Sequence, residues 1–472
     1  MPVSAKFLPE TLHAALGADF FDEVEPARFP KTILRYRNQR WAARVGLDGL
    51  SDAEWIAHFA RFEPLPGAFQ KPLALRYHGH QFRSYNPDLG DGRGFLFAQL
   101  RDVEDGRLLD LGTKGSGQTP WSRRGDGRLT LKGGVREILA AEMLEALGVD
   151  TSKSFSLIET GEELIRSDEP SPTRSSVLVR LSLSHIRIGT FQRLAYHEDR
   201  EGIERLTAYV LAQYFPQLAE AERPAEALLR AVTARVAKLA ASYMAAGFVH
   251  GVLNSDNINV TGESFDYGPW RFAPTWDAGF TAAYFDEIGL YAFGRQPGAI
   301  AWCLARLAEC LLPLIGLQTA QRIAESYADL MRAAFRERLL FRLGLDSAGE
   351  EQDAALAKSF VDFMLASRAP FEQAFFDWRG GLASLARAEK SPAAALYESP
   401  FFAPVRAALA PYRASAHAHL DHPYFAGVEP CTMMIDEVER IWDSIARRDD
   451  WGPFEEKISQ ISVLREACSL QA

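Results

Sequence analysis

The sequence predicts an α+β fold in two lobes, with an N-terminal extension and a C-terminal helical addition. Three observations carry that prediction. Glycine-dense text with strand-like runs fills residues 85–128 and more strand-like text follows to residue 183, helical text dominates after about residue 200, and no period of roughly 20–50 residues runs through the chain. The divisions expected are an extension over 1–76, a small β-rich nucleotide-binding lobe over 77–195, a large helical lobe over 196–345 and a helical region over 346–472. At roughly 100–200 residues per domain, 472 residues suit such a division.

The first 75 residues mix short helical patterns with Pro and aromatic residues and read as a wrapping extension. Within 85–128, apolar runs at 95–100 and 107–112 read as strands joined by a turn at Glu104-Asp105-Gly106. Residues 135–147 read as a helix, with Ile138, Leu139, Met143, Leu144 and Leu147 on one face and Gly148 placed to end it. Strands follow at 154–159 and 176–183. The clearest helix covers 224–246, with Leu228, Leu229, Val232, Val236, Leu239 and Tyr243 at helical spacing, Pro224 opening it and Gly247 closing it. Residues 299–345 and 350–446 continue in Ala/Leu/Arg-rich helical patterns, with their Trp and Phe read as core.

Composition narrows the function classes. Apolar residues at 47% and charged residues at 24% suit a packed core and exclude global disorder. The net charge of −10 argues against binding of nucleic-acid backbones. Cys303, Cys310, Cys431 and Cys468 form no disulfide framework and no CxxC pair. The first 26 residues are acidic and lack a signal pattern. The most apolar stretch, 299–317, carries Arg306 and Glu309 and reads as a buried helix rather than a membrane span. A reducing cytoplasm, with no membrane partner, is the expected setting.

Three groups carry chemistry. The turn Leu89-Gly90-Asp91-Gly92-Arg93-Gly94 precedes a strand. Its glycines allow close backbone approach to phosphates and Arg93 adds charge, although a tight hairpin turn explains the glycines equally well. Lys114 follows the second strand, and Glu137 falls in the first turn of the next helix. Strand lysines held by a helix glutamate meet nucleotide phosphates in kinase-like folds, while a surface lysine and a helix-starting Glu are the plainer reading. The third group, His250-Gly-Val-Leu-Asn-Ser-Asp-Asn257 followed by Asp266-Tyr-Gly268, is the sharpest. Aligned on the kinase pattern H-R-D-L-x-x-x-N then D-F-G, it puts Asn257 and Asp266 at the Mg²⁺-binding positions. The usual catalytic Asp is replaced by Val252, which cannot accept a proton. That leaves either a kinase-like fold without catalysis or a different transfer using Asp256.

The text from Leu111 to Arg128 (LGTKGSGQTPWSRRGDGR), Val135-Arg-Glu137, Ser184-His-Ile-Arg-Ile-Gly189 and the stretch 250–269 resemble the selenoprotein O family. The resemblance covers at least residues 77–297. It implies a protein-kinase-like fold and a protein adenylyltransferase. Such an enzyme binds ATP inverted relative to ordinary kinases, transfers AMP to Ser, Thr or Tyr hydroxyls of proteins and releases pyrophosphate. The resemblance implies nucleotide contacts from Gly90, Gly92, Arg93, Lys114, Asp126, Gly127, Arg180 and Arg187. It implies Glu137 as the partner of Lys114, Asp256 as general base, and Asn257 and Asp266 as ligands of Mg²⁺, with Mn²⁺ as the alternative ion. A γ-phosphotransferase and a non-catalytic nucleotide-binding scaffold are the other readings. The pKa of Asp256 need be little perturbed if the hydroxyl proton leaves late.

Two departures stand out. The family text A-G-H-Q-F-G reads His78-Gly-His-Gln-Phe-Arg83 here, so Arg83 is expected to alter the rim of the nucleotide loop. The activation segment 279–284 has no Cys to pair with Cys468, so the redox bridge of some members is not expected. His417, His419 and His422 are spaced i, i+2, i+5, which does not align them on one helix face, and they read as a solvated loop.

Overall fold

The computed structural model describes residues 4–468. Its centre is a nine-stranded antiparallel sheet: β1 (Pro9–Glu10), β2 (Phe21–Glu23), β3 (Ile33–Arg37), β4 (Leu73–Leu75), β5 (Leu96–Arg101), β6 (Leu108–Lys114), β7 (Leu129–Thr130), β8 (Lys153–Leu164) and β9 (Thr173–Ser182). The strand order is β2-β4-β5-β6-β9-β8-β3, with β1 on β5 and β7 on β9. The predicted hairpin is present as β5–β6, with Leu100 opposite Leu109 and its turn at 102–107.

Alternation along the strands sends side chains to two different layers. Phe95, Phe97, Leu109, Leu111, Phe155, Ile158, Val177 and Val179 pack on one face with Trp41, Trp55 and Phe59. These come from α1 (Gln39–Arg44) and α2 (Asp52–Phe59). Leu157 and Leu178 point the other way, to Val135, Ile138 and Leu139 of α3 (Leu131–Ala146). The first 76 residues therefore do more than wrap. They supply four strands and the helical layer that covers one sheet face, a role their short, irregular apolar runs did not reveal.

Helix α3 starts four residues before the predicted 135, because the Thr130 side chain accepts from Gly133 N. Glu137 thus sits in the second turn, not the first, and is buried there. The helical side of the molecule begins with α4 (Ile188–Tyr196), α5 (Arg200–Tyr214) and α6 (Pro224–Ala246), then α7 (Gln296–Ile315). Gly247 ends α6 at φ 65°, as its position predicted. The segment Phe293–Ile315 is long and apolar enough to cross a membrane despite Arg306 and Glu309, which pair with each other. In the fold Ile300, Cys303, Leu304, Leu307 and Leu311 of that segment are buried in the main core with α6. Further helices from Leu317 to Cys468 complete the chain, with Phe360, Phe371, Phe375, Trp378 and Phe402 in a core of their own.

All four cysteines are free thiols. Burial pushes the Cys310 thiol up to about 12 and the Cys431 thiol up to about 11. Cys468 is also raised, mainly by burial, with Arg379 and Arg342 opposing. Thiols held protonated are slow nucleophiles. Mild oxidation of the folded protein is therefore expected to leave all four reduced in a peptide map. A bridge from Cys468 to Cys303 or Cys310 would contradict this packing.

Candidate active site

A cleft of about 720 Å³ opens where the sheet meets the helices. Every predicted site residue lines it except Glu137, which stands behind Lys114. Eight Lys or Arg and four Asp side chains face it. A cationic surplus in a concave site, on a chain of net charge −10, favours a polyphosphate ligand.

At its inner end Lys114, the last residue of β6, donates to Glu137 of α3. It also donates to Asp266 Oδ1 at 2.6 Å. Arg180, on the adjacent strand β9, reaches the same oxygen at 3.2 Å and lies 3.7 Å from Glu137. Antiparallel pairing opposes Arg180 to Gly112, which places both cations on one face of the sheet. Burial alone would raise the pKa of Asp266, but Lys114, Arg180, Arg187 and Arg93 hold it well below the usual carboxylate range. Lys114→Met should cut turnover by on the order of 10²-fold, the loss typical of one preorganised charge. Glu137→Ala should act in the same direction through Lys114. A double mutant whose two defects simply multiply would contradict a coupled pair.

The loop that carries the third motif is pinned on both sides of Asp256. It follows the hairpin strand β10 (Phe248–His250), paired with β11 (Trp270–Phe272). His250 accepts from Val252 N through Nδ1 at 3.3 Å and faces Phe265 O through Nε2 at 3.1 Å. Burial lowers its pKa, in keeping with a neutral ring that donates from Nε2. Asn254 Oδ1 accepts from Phe82 N at 3.0 Å and from Tyr291 at 2.7 Å. Ser255 accepts from His80 N at 2.7 Å and donates to Gln192 at 2.5 Å. Asp256 between them is buried, and its Oδ1 has no hydrogen-bond partner. A Cβ on Gly79 would stand 3.0 Å from the Asp256 side chain, so that neighbour must stay small. Burial pushes the Asp256 carboxyl up to about 6, with Arg187 opposing. The perturbation exceeds the sequence expectation, because sequence alone shows a polar loop and not its desolvation.

Arg187 is buried beside this loop. It donates to Asp256 O and to Asp91, each at 3.2 Å, and stacks over Tyr77 at 4.2 Å. Asp91 was not singled out by sequence reasoning, although it lies inside the glycine-rich turn. Its contact joins that turn to Arg187. The glycines of the turn answer mainly to the chain itself. A Cβ on Gly90 would meet the Trp121 ring at 2.4 Å and one on Gly92 would meet Trp121 O at 2.8 Å. Gly127 has φ +70° and no room beside Gly117. Asp126 is held at the outer rim by Arg166 at 2.8 and 3.0 Å, another contact that sequence reasoning missed. Arg83 is not among the residues that line the cleft. It lies over Trp302 at 5.7 Å with φ 65°, a conformation that glycine would adopt without strain.

The donor set suits a hard divalent cation held jointly with phosphates. Asn257 donates its amide to Val252 O at 3.1 Å, which leaves its carbonyl oxygen free for a ligand. Asp266 uses Oδ1 for Lys114 and Arg180, which leaves Oδ2. Two protein oxygens plus substrate oxygens is an arrangement Mg²⁺ accepts. Among the described residues no group of three or more His, Cys, Asp or Glu could hold a metal unaided. That includes the three histidines near 420: His417 lies in the short turn Ala416–Ala418, and His422 caps the start of the turn Pro423–Ala426, accepting from Tyr424 N.

A family model described as protein adenylyltransferase SelO matches residues 4–462. A protein nucleotidyltransferase YdiU from Synechocystis sp. is 42% identical over 95% of this chain and 96% of its own. Proteins of the same name from Gloeobacter violaceus (43%, over 96% of this chain and 94% of its own) and Trichodesmium erythraeum (41%, over 95% and 96%) are similarly close.

Proposed function

The chain belongs to the SelO family of protein adenylyltransferases, and from that premise we propose that the cleft binds ATP with Mg²⁺ and passes AMP to Ser, Thr or Tyr hydroxyls of proteins. The enzyme is a protein nucleotidyltransferase, with ATP as the substrate its family implies. The observation that carries the mechanistic reading is the buried Asp256 carboxylate, unpartnered at Oδ1 and pinned beside a cluster of cations. We read the whole as a protein-kinase-like fold, with the first 76 residues joined to the small lobe through the shared sheet and the further divisions near 195 and 345, working in a reducing cytoplasm where its four free thiols persist.

In this reading Asp256 takes the proton from the acceptor hydroxyl. The hydroxyl oxygen attacks the α-phosphorus, the bond from that phosphorus to the bridging oxygen breaks, and pyrophosphate leaves. Lys114, Arg180 and Arg187 stabilise charge on the phosphate oxygens, and Arg93 adds to the same field. Glu137 keeps Lys114 oriented and charged. Asn257 and Asp266 would hold Mg²⁺, whose contribution when bound is to neutralise phosphate charge. Gly90, Gly92, Asp126 and Gly127 shape the outer wall. With the base titrating at about 6, transfer should rise with pH through that region, because only the ionised carboxylate accepts a proton. A rate that stays flat from pH 5 to 8 would argue against Asp256. Mass spectrometry of modified proteins should find one added AMP on a hydroxyl side chain, with pyrophosphate released in equal amount. Modification confined to other side chains would overturn the acceptor assignment.

A further inference from the structure

Beside the cleft, large apolar side chains gather in solvent. Tyr284 and Ile288, exposed by 83% and 75%, are with Ile165 the most exposed of that kind among the described residues. Phe285 and Phe82 are exposed as well. Ring contacts join Tyr284 to Phe285 at 5.2 Å, Phe285 to Phe82 at 5.9 Å and Phe82 to Tyr291 at 5.2 Å. The loop that carries most of the group is pinned. Asp286 N donates to Ala283 O and Gly289 N to Asp286 O. The buried Asp286 carboxylate accepts from Leu290 N at 2.7 Å and Tyr291 N at 2.8 Å, and Arg295 donates to Ile288 O at 2.6 Å. Phe82 comes from a hairpin, Gly79–Gln81 paired with Ser84–Asn86, in which Gln81 opposes Ser84. The two-residue turn is therefore Phe82-Arg83, at φ 49° and 65°. Positive φ at both turn residues favours Asn-Gly or Asp-Gly. A bulky pair keeps that conformation only where its surroundings enforce it, and such strain gathers at functional sites. The loop of Asp256 enforces it here: Asn254 Oδ1 accepts from Phe82 N at 3.0 Å and Ser255 from His80 N at 2.7 Å.

We propose that Phe82, Tyr284, Phe285 and Ile288 form the surface on which the acceptor protein docks, through a large aliphatic or aromatic side chain a few residues from the hydroxyl that receives AMP. The proposal rests on the AMP-transfer reading, in which a protein hydroxyl comes to Asp256. Gln81 and Asn254 line the cleft. Gln81 precedes Phe82 in the chain, and Asn254 holds Phe82 N and lies two residues before Asp256. The cleft wall thus runs directly into the apolar surface, and a polypeptide that brings its hydroxyl to Asp256 on this side crosses it. An extended chain advances about 3.3 Å per residue, so the anchoring side chain falls within the first few positions beside the acceptor. Exposed apolar surface next to a site that must receive another protein is the feature expected of a docking face. The pinned backbone lowers the ordering cost of docking there.

The test uses the full chain with Mg²⁺ and ATP labelled at the α-phosphorus. Acceptors are a broad protein mixture and Ser-centred peptides that carry a single Leu, moved through the positions on either side of the Ser, in an otherwise polar sequence. Leu at one of these positions should raise kcat/KM roughly tenfold over the peptide without Leu, the gain expected from burying one such side chain. A Tyr284→Ser, Ile288→Ser double variant should raise KM for that peptide roughly tenfold and label the protein mixture less. Its kcat, its Kd for ATP and its Tm should stay as in the unmodified protein. Phe82→Asn, which suits the turn, should raise the same KM. The proposal is overturned by transfer indifferent to Leu, by an unchanged KM in the double variant, or by a double variant that loses ATP binding. It is also overturned if the unmodified protein self-associates and the double variant dissociates with transfer unaltered, since the surface then joins two copies of the chain. If the unmodified protein binds ATP and labels neither peptides nor proteins, the AMP-transfer reading itself fails and takes this proposal with it.

Discussion

Asp266→Asn should lower AMP transfer by on the order of 10²- to 10³-fold while the protein stays folded. The carboxylate is the common partner of Lys114 and Arg180, and in the proposed reaction it offers one of the two protein oxygens to Mg²⁺. Asparagine keeps the shape and tolerates the φ of 62° at this position better than alanine would. It removes the charge on which both roles depend. The variant should also lose stability at neutral pH. The folded-state pKa of Asp266 lies well below its ordinary 3.8. Its contribution to stability is therefore present above that ordinary value and lost as pH falls through the folded one. The deficit in Tm against the unmodified protein should accordingly shrink in acid. Full transfer by a folded Asp266→Asn protein would remove the metal and phosphate assignment.

Asp256→Asn should do the reverse to stability while also abolishing transfer. Its carboxyl titrates at about 6, above the ordinary 3.8, because burial disfavours the charge and nothing hydrogen-bonds Oδ1. The difference corresponds to about 3 kcal/mol that the ionised group costs the fold. Above pH 6 the variant should melt higher than the unmodified protein, and the gap should close as pH falls toward 4, where both carry a neutral side chain. ATP affinity should change little, since the proposed role of Asp256 is to remove the acceptor proton and not to hold the phosphates. A variant that melts lower at pH 8, or that retains transfer, would mean this carboxylate is structural. Strain held at a functional group and relieved by an inactivating substitution is a common trade.

Much of this site was legible because its parts are local in sequence. The Lys114 strand, the Glu137 helix and the 250–268 loop each announce themselves by residue type and spacing, and their order along the chain joins them. Arg180 and Arg187 needed the family resemblance, since an arginine on or after a strand reads equally well as solvated. What sequence could not show depends on contacts across long separations. Asp91 holds Arg187 across 96 residues. Asp256 is desolvated by glycines and a loop from residues 79 to 82. The strands of the first 76 residues are two to five residues long, too short for a periodic signal, and they form because a ready sheet edge accepts them. The start of α3 was misplaced for the opposite reason: its first turn, Leu131-Lys-Gly-Gly134, has poor helix propensity, and the Thr130 cap decides it.

The central claim is that the phosphorus attacked is the α, through a base at Asp256 where Val252 occupies the ordinary kinase position. One measurement addresses it directly: parallel incubation of the protein and a broad protein mixture with Mg²⁺ and ATP labelled at either the α- or the γ-phosphorus. The account predicts that α-label enters protein, that γ-label leaves as pyrophosphate, and that Asp256→Asn transfers neither. Protein carrying γ-label without α-label would contradict it and identify a kinase. ATP bound with neither label transferred, with Mn²⁺ as with Mg²⁺, would contradict it and leave a nucleotide-binding scaffold.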